Sequence, residues 1–380
     1  MAILFENDFI VGGDPETRVS SNFRLKEFMD EQGKIYLHRE LAGALQVLRD
    51  QYGASIRVRT GEAVPAADEL AGRFIVVDVA DKDALEKCAA HLVKEGYLQY
   101  VKRRQGGLYL EMPPPDNLPP VKPETAFACG LRVTAAFETS GDPFQQVTGN
   151  FDGAGLSFGP IQCNFKSGTL QELCKRFQVE DEAALRSCFA LPAHYQQWLQ
   201  LIDGPRTRAV AWADTQSTGQ GKRGFAEPWK SYLQAVGRTP AFQRVMTRYA
   251  YDKYGKLMMS AVAFLEGLTA IPIDNMLCLS ALYDMGVQQG SLSRAHDNIR
   301  RRVAREQPVD QRQLVRIAVE ERALKALKRF RADCLSRRLS ILERQPVTVV
   351  KEGVRSTRSN GRLYLLRNSR VERLDRFLSG

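Results

Sequence analysis

The sequence predicts an α+β protein, with a small mixed α/β region at the N-terminal end and a mainly helical region after it. Up to about residue 112, strand-like apolar runs alternate with helix-spaced ones; after residue 125 a 3.6-residue apolar period recurs along most of the chain. Between these regions lies EMPPPDNLPPVKPET, residues 111–125, with six prolines. Proline fixes φ and removes an amide donor, so this stretch reads as a stiff extended linker. Domains over 1–111 and 126–380 follow, joined by 112–125.

In the first region, residues 23–30 read as a short amphipathic helix after Ser20 and Ser21, which are candidate caps. Residues 37–52 read as a longer helix with Leu41, Leu45 and Leu48 on one face. Runs at 54–59, 74–79 and 108–112 read as strands, with a helix over 83–95 between the last two. In the second region, helices are expected over 125–138, 168–177, 180–189, 192–203, 226–236, 239–255, 257–269, 274–288, 293–305, 309–331 and 332–342. The glycine-rich polar stretch 139–167 interrupts them as a hairpin-like loop. The tail from about 345 reads as a hairpin and a last helix.

Composition narrows the function. With 44% hydrophobic and 26% charged residues over 380 positions, the chain can bury two cores and is not a disordered polymer. The start, MAILFENDFIVGGDPE, lacks the basic and apolar regions of a usual signal peptide. The most apolar run, 257–273, contains Glu266 and Pro272 and is too short to span a bilayer. Seven cysteines without a CxxC pair argue against a disulfide framework or a zinc knuckle, and point to synthesis in a reducing cytoplasm. The four histidines show no metal-ligand spacing, so no metal and no cofactor is expected. Charge is uneven. Residues 1–125 carry 16 basic and 20 acidic side chains, whereas 126–380 carry 38 and 24, a net of +14. Such a half attracts polyanions.

The chemistry is concentrated in AAFETSGDPFQQVTGNFDGAGLSFGPIQCNFKSG, which begins at Ala135. Cleaving a glycosidic bond takes two carboxyl groups, one protonated to assist the leaving oxygen and one ionised. Glu138 falls at the end of an apolar helix, where partial desolvation favours the protonated form. Asp152 falls in a polar turn, Gly149-Asn150-Phe151-Asp152-Gly153, where it stays ionised. Environments that split two carboxyls in this way mark an acid/base pair. Taken singly, a Glu at a helix end and an Asp before Gly are both ordinary turn features. NFDGAG is neither a calcium loop, lacking the ligand ladder, nor a phosphate loop, lacking a following Gly-Lys-Ser/Thr.

The segment from Phe137 to Gln162 resembles the catalytic stretch of chitosanases of the lysozyme superfamily, in which a helix ending in Glu is followed by a DGxG turn. The resemblance implies a mainly α, lysozyme-like fold with a small β-hairpin region over about 126–340. It implies Glu138 as general acid and Asp152 as the base that activates water, with Ser157 in place of the Thr that positions that water. Gly159-Pro160-Ile161-Gln162 is similar to the GLMQ segment of lytic glycosidases related to goose lysozyme. Residues 282–290 resemble the second core helix, whose polar end lies near the cleft. Asn150, Gln162, Asp284 and Arg337 are the residues assigned to substrate binding. The inverting chemistry of these chitosanases implies carboxyl groups about 6.5–9.5 Å apart. The chain departs from the pattern in its Glu138–Asp152 spacing of 14, in Ala154 where the turn has Arg, and in Ser157. Chitosan is cationic and a domain of net +14 repels it, so peptidoglycan, whose peptides carry carboxylates, is the expected substrate.

Residues 20–112 resemble zinc D-Ala-D-Ala carboxypeptidases through Ser21-Asn22-Phe23, Leu37-His38 and Arg59-Thr60-Gly61. Where that family has metal ligands, this chain has Asp68–Arg73 and 107–111, without histidine. A metal-free relic that binds wall peptides or a delivery partner is therefore expected. The basic groups Arg300–Arg302, Lys325–Arg331 and Arg337-Arg338 read as a face for anionic wall polymer, with the last pair near the cleft. No RNP motif, zinc finger or helix-turn-helix accompanies them, which argues against nucleic acid. The expected protein is a wall-lytic enzyme, a phage endolysin or an injected effector, acting in the periplasm after delivery. A secretion-machine component or an immunity protein would be its partner. A chitosanase and a non-catalytic polymer-binding protein are the alternatives.

Overall fold

The computed structural model describes residues 3–6, 8–59, 73–104, 107–113, 118–137 and 141–372. Buried apolar side chains gather in two clusters. One is built from residues 10–112 and the other from residues 121–371.

In the N-terminal region, Leu4–Glu6, Phe9–Gly12 and Leu37–His38 form a three-stranded antiparallel sheet. A second, four-stranded antiparallel sheet runs in the order Arg57–Arg59, Phe74–Asp78, Gly107–Glu111, Tyr100–Arg104. Leu41, Leu45 and Leu48 of helix Arg39–Tyr52 and Leu85, Ala89 and Leu92 of helix Lys82–Lys94 share one core with Ile75, Val77, Leu108 and Leu110 of that sheet. Three expectations change here. Residues 23–30 form only a 3-10 turn, Leu25–Glu27, because Glu27 reaches back to the Arg24 amide (2.9 Å) and Asp30 captures the amides of Gln32 and Lys34. Leu37 and His38 are strand, and the helix starts at Arg39 because His38 Nδ1 accepts from the Glu40 amide. Tyr100–Arg104 is a strand the sequence reading left out. Residues 68–72, where the carboxypeptidase resemblance places metal ligands, lie outside the described residues; 107–111 is the inner strand Gly107–Glu111.

The proline-rich stretch is not a free spacer where it is described. Val121 is buried, pairs with Val371 and exchanges backbone hydrogen bonds with the chain's C-terminal segment (Val121 N to Arg370 O, 2.8 Å; Glu372 N to Val121 O, 2.8 Å). Helix Pro123–Ala136 begins within it, with proline in the first turn, where no amide donor is missed.

The second region is mainly helical. Its hub is Met276–Gln289, buried at every position from Met276 to Gly286. It packs against Pro123–Ala136, Lys256–Thr269, Gln311–Leu324 and Lys328–Glu343. A helix buried on all sides belongs at the centre of a bundle, and the one charge in this one, Asp284, is paired there. Helix Arg206–Gln216 went unread because it buries only Ala209 and Ala213, which leaves no apolar stripe. The expected break near 331 falls instead at 325–327. The tail forms the expected hairpin, Val347–Lys351 with Val354–Arg358, followed among the described residues by a 3-10 turn, Leu363–Leu365; residues 373–380 lie outside them. No helix among the described residues is long and apolar enough to cross a membrane. All seven cysteines are free.

Candidate active site

Glu138 lies outside the described residues, as do 139 and 140. What leads into it is well defined. Helix Pro123–Ala136 ends at Phe137, and two guanidinium groups grip its last turn. Arg337 donates to the Thr134 carbonyl (2.9 Å) and Arg358 to the Phe137 carbonyl (3.0 Å). Both also lie over the Phe137 ring, at 4.6 and 5.9 Å from its centre. Unsatisfied carbonyls give a helix C-terminus partial negative charge, so cations are favourable there.

The turn with Asp152 joins the first two strands of a small antiparallel sheet, Val147–Thr148, Ser157–Phe158 and Cys163–Asn164. The exposed Asp152 carboxylate accepts one hydrogen bond, from the Ala154 amide (3.0 Å). Phe151 beside it is exposed, with Arg223 over its ring. Asn150 latches the turn. Its side chain accepts from Gly155 N (2.7 Å) and donates to Asp214 (2.6 Å), and its amide donates to Ser217 Oγ (2.8 Å). Lys222 and then Asn150 hold the Asp214 carboxyl below the usual carboxylate range. Gly149 is required here, since a Cβ would meet Gly224 O at 2.3 Å and Lys222 O at 2.5 Å. Asp214, Ser217 and Lys222 carry no signal in sequence: they stand more than 60 residues away on a helix and turn without a motif.

Several sequence-assigned residues take other positions. Asp284 and Arg337, expected on substrate, are 0% and 2% exposed and are spent on each other. Arg337 Nε donates to both Asp284 oxygens (2.8 and 3.1 Å), and Arg338 Nε stands 3.7 Å from Asp284. Burial lowers the Arg338 pKa. The Arg337-Arg338 pair therefore points into the bundle and not into a cleft. Arg322 and Arg367 are interior as well, whereas Arg300, Arg301, Lys325, Lys328 and Arg329 of the expected basic face are exposed. Asn150 has its side-chain oxygen and nitrogen both engaged within the protein, which leaves it a positioning residue for the turn. Gln162 is exposed at φ 53° and donates to Gly159 O (3.1 Å). Ser157 is buried on the central strand. Among the described residues no group of His, Cys, Asp and Glu could hold a metal ion.

No protein-family model and no curated protein matches the chain. Solved structures similar to it include a native chitosanase from Bacillus subtilis MY002, with 12% identity and a TM-score of 0.38. That likeness covers 63% of this chain and 100% of the other. A GH46 chitosanase from Gynuella sunshinyii in complex with chitotetraose is 15% identical, with a TM-score of 0.36, covering 62% of this chain and 98% of the other. Likeness at this level carries no argument about chemistry.

Proposed function

We propose that the chain is a glycoside hydrolase acting on the glycan strands of peptidoglycan. The observation that supports this reading best is the Asp152 turn. It presents an exposed carboxylate with one hydrogen bond from the protein, on a turn latched by Asn150, Asp214 and Ser217. Fourteen residues before it, Glu138 follows directly on a helix end fixed by Arg337 and Arg358.

In this reading Glu138, protonated, gives its proton to the glycosidic oxygen as the bond to the anomeric carbon breaks. Asp152 takes a proton from water, whose oxygen attacks that carbon from the opposite face. Ser157, buried on the strand that leaves the turn, takes no part in this reading. Gln162 and Phe151 are exposed to meet sugar. The overall positive charge favours an acidic glycan over cationic chitosan.

The test is digestion of purified peptidoglycan sacculi by the wild type and by Glu138→Gln, with products weighed by mass spectrometry. Wild type should release soluble fragments carrying one added water per bond, and the variant should be slower by about a thousandfold. Equal release from both, or none from wild type, overturns the reading.

A further inference from the structure

The segment 217–225 is docked against the turn that carries Asp152. Ser217–Thr218 and Gly224–Phe225 pair as a short antiparallel hairpin. Its residues meet the turn directly: the Gly149 amide donates to the Arg223 carbonyl (3.2 Å), and the Asn150 amide to Ser217 Oγ (2.8 Å). The main chain of Arg223 is thereby fixed beside the turn.

Two neighbouring cations of this hairpin differ. Lys222 is spent: its ammonium reaches both oxygens of Asp214, each at 2.7 Å. Arg223 is not. It is exposed, its guanidinium lies over the Phe151 ring at 4.8 Å from the centre, and its side chain donates to no carboxylate or carbonyl among the described residues. Stacking on a ring occupies the flat face of a guanidinium and leaves the N–H donors at its edge free, in the fork that matches a carboxylate. Phe151, which holds it, is 44% exposed and immediately precedes Asp152.

A second cation stands across the turn. The Lys166 amide donates to the Ala154 carbonyl (3.1 Å), and it is the Ala154 amide that donates to Asp152 (3.0 Å). Lys166 is exposed, and no carboxylate among the described residues pairs with it. Asp214, the acid that latches the turn, is already balanced by Lys222. The exposed Asp152 carboxylate therefore sits on a turn with a spare cation on each flank, and neither cation pairs with it. Such local charge draws an anion to this spot. The net of +14 for the whole region does not, since part of it, at Arg337 and Arg338, is interior.

We infer that Arg223 determines specificity at this site: stacked on Phe151, it binds the carboxylate of an acidic amino sugar beside Asp152. This rests on the reading of Asp152 given above, and it assigns the preference for an acidic glycan to one side chain instead of to the overall charge.

The test uses the full chain carrying Glu138→Gln, so that binding is read without turnover. Two probes of equal length are titrated by calorimetry: the tetrasaccharide of alternating N-acetylglucosamine and N-acetylmuramic acid, and the neutral N-acetylglucosamine tetramer. The acidic probe should bind about tenfold more tightly, as one charge-assisted hydrogen-bonded pair allows. Arg223→Glu should abolish that preference, whereas Arg223→Lys should keep part of it. Arg329→Glu makes the same change in net charge at an exposed position on helix Lys328–Glu343, outside this site, and should leave the preference intact. Equal affinity for the two probes, no binding of either, an unchanged preference in Arg223→Glu, or an equal loss in Arg329→Glu overturns the inference. A wild type that fails on sacculi while the Arg223-dependent preference holds rejects the hydrolase and keeps the subsite. A wild type that digests sacculi without that preference does the reverse.

Discussion

The helix end that leads into Glu138 and the turn that carries Asp152 are built from different materials. The helix end is held from far along the chain. Arg337 and Arg358 reach it across 203 and 221 residues, and Arg337 is itself fixed by the buried Asp284. The turn is held largely by its own neighbours: Asn150 closes on Gly155, and Asp152 on Ala154, with Asp214 and Ser217 as an outer latch. The difference teaches where each role can be disturbed. Changes far along the chain should therefore disturb the helix end, and changes within the turn should disturb Asp152.

The sharpest way to break the contrast is at Asp284. Asp284→Ala leaves Arg337 and Arg338 buried without a counter-charge, and should cost about 3–5 kcal/mol of stability by denaturant unfolding. Loss of less than about 1 kcal/mol would show that the helix end does not depend on this pair. Asp152→Asn should do the reverse. Its unfolding midpoint should stay near that of wild type, while kcat on peptidoglycan fragments falls by about a hundredfold or more. A variant with unchanged kcat removes Asp152 from the chemistry.

Smaller effects sharpen the picture. Gly149→Ala forces a methyl group against two carbonyl oxygens and should destabilise by about 1–3 kcal/mol, with the loss of kcat exceeding what the unfolded fraction explains. An unperturbed variant would mean that the turn is not docked on 222–224. The smallest effect concerns pH. Burial lowers the His38 pKa from its ordinary value near 6.5. The unfolded chain therefore takes up a proton on His38 before the folded one does. Stability is full above about pH 6.5 and falls as pH drops below it. The thermal midpoint of wild type should decline more steeply between about pH 6.5 and 5 than that of His38→Gln. Parallel declines would show that His38 contributes nothing there.

Residues with a local job were legible. Helices with a clear apolar stripe, such as Pro192–Asp203, and the tail hairpin lie where their periodicity puts them. The glycine-rich turn also announces itself, because Gly149 and Asp152 do their work within a few residues of each other. Helix Arg206–Gln216 was illegible, since alanines bury it without a pattern. So was the fate of Asp284 and Arg337. A charged residue on an apolar helix looks the same in sequence whether it faces a cleft or an opposite charge, and here the pair meets across 53 residues.

By itself, then, the sequence determined an α+β chain with a polar, glycine-rich segment after the first helix of its second half, and it named Glu138 and Asp152 as the carboxyls to examine. Only the tertiary structure decided which charges are interior and which are free. Desolvation makes a buried charge acceptable only beside its partner, and partners chosen across 50 to 300 residues leave no spacing to read. That selection put Arg337 and Arg338 into the bundle. It left Asp152 exposed on its turn, with one hydrogen bond from the Ala154 amide.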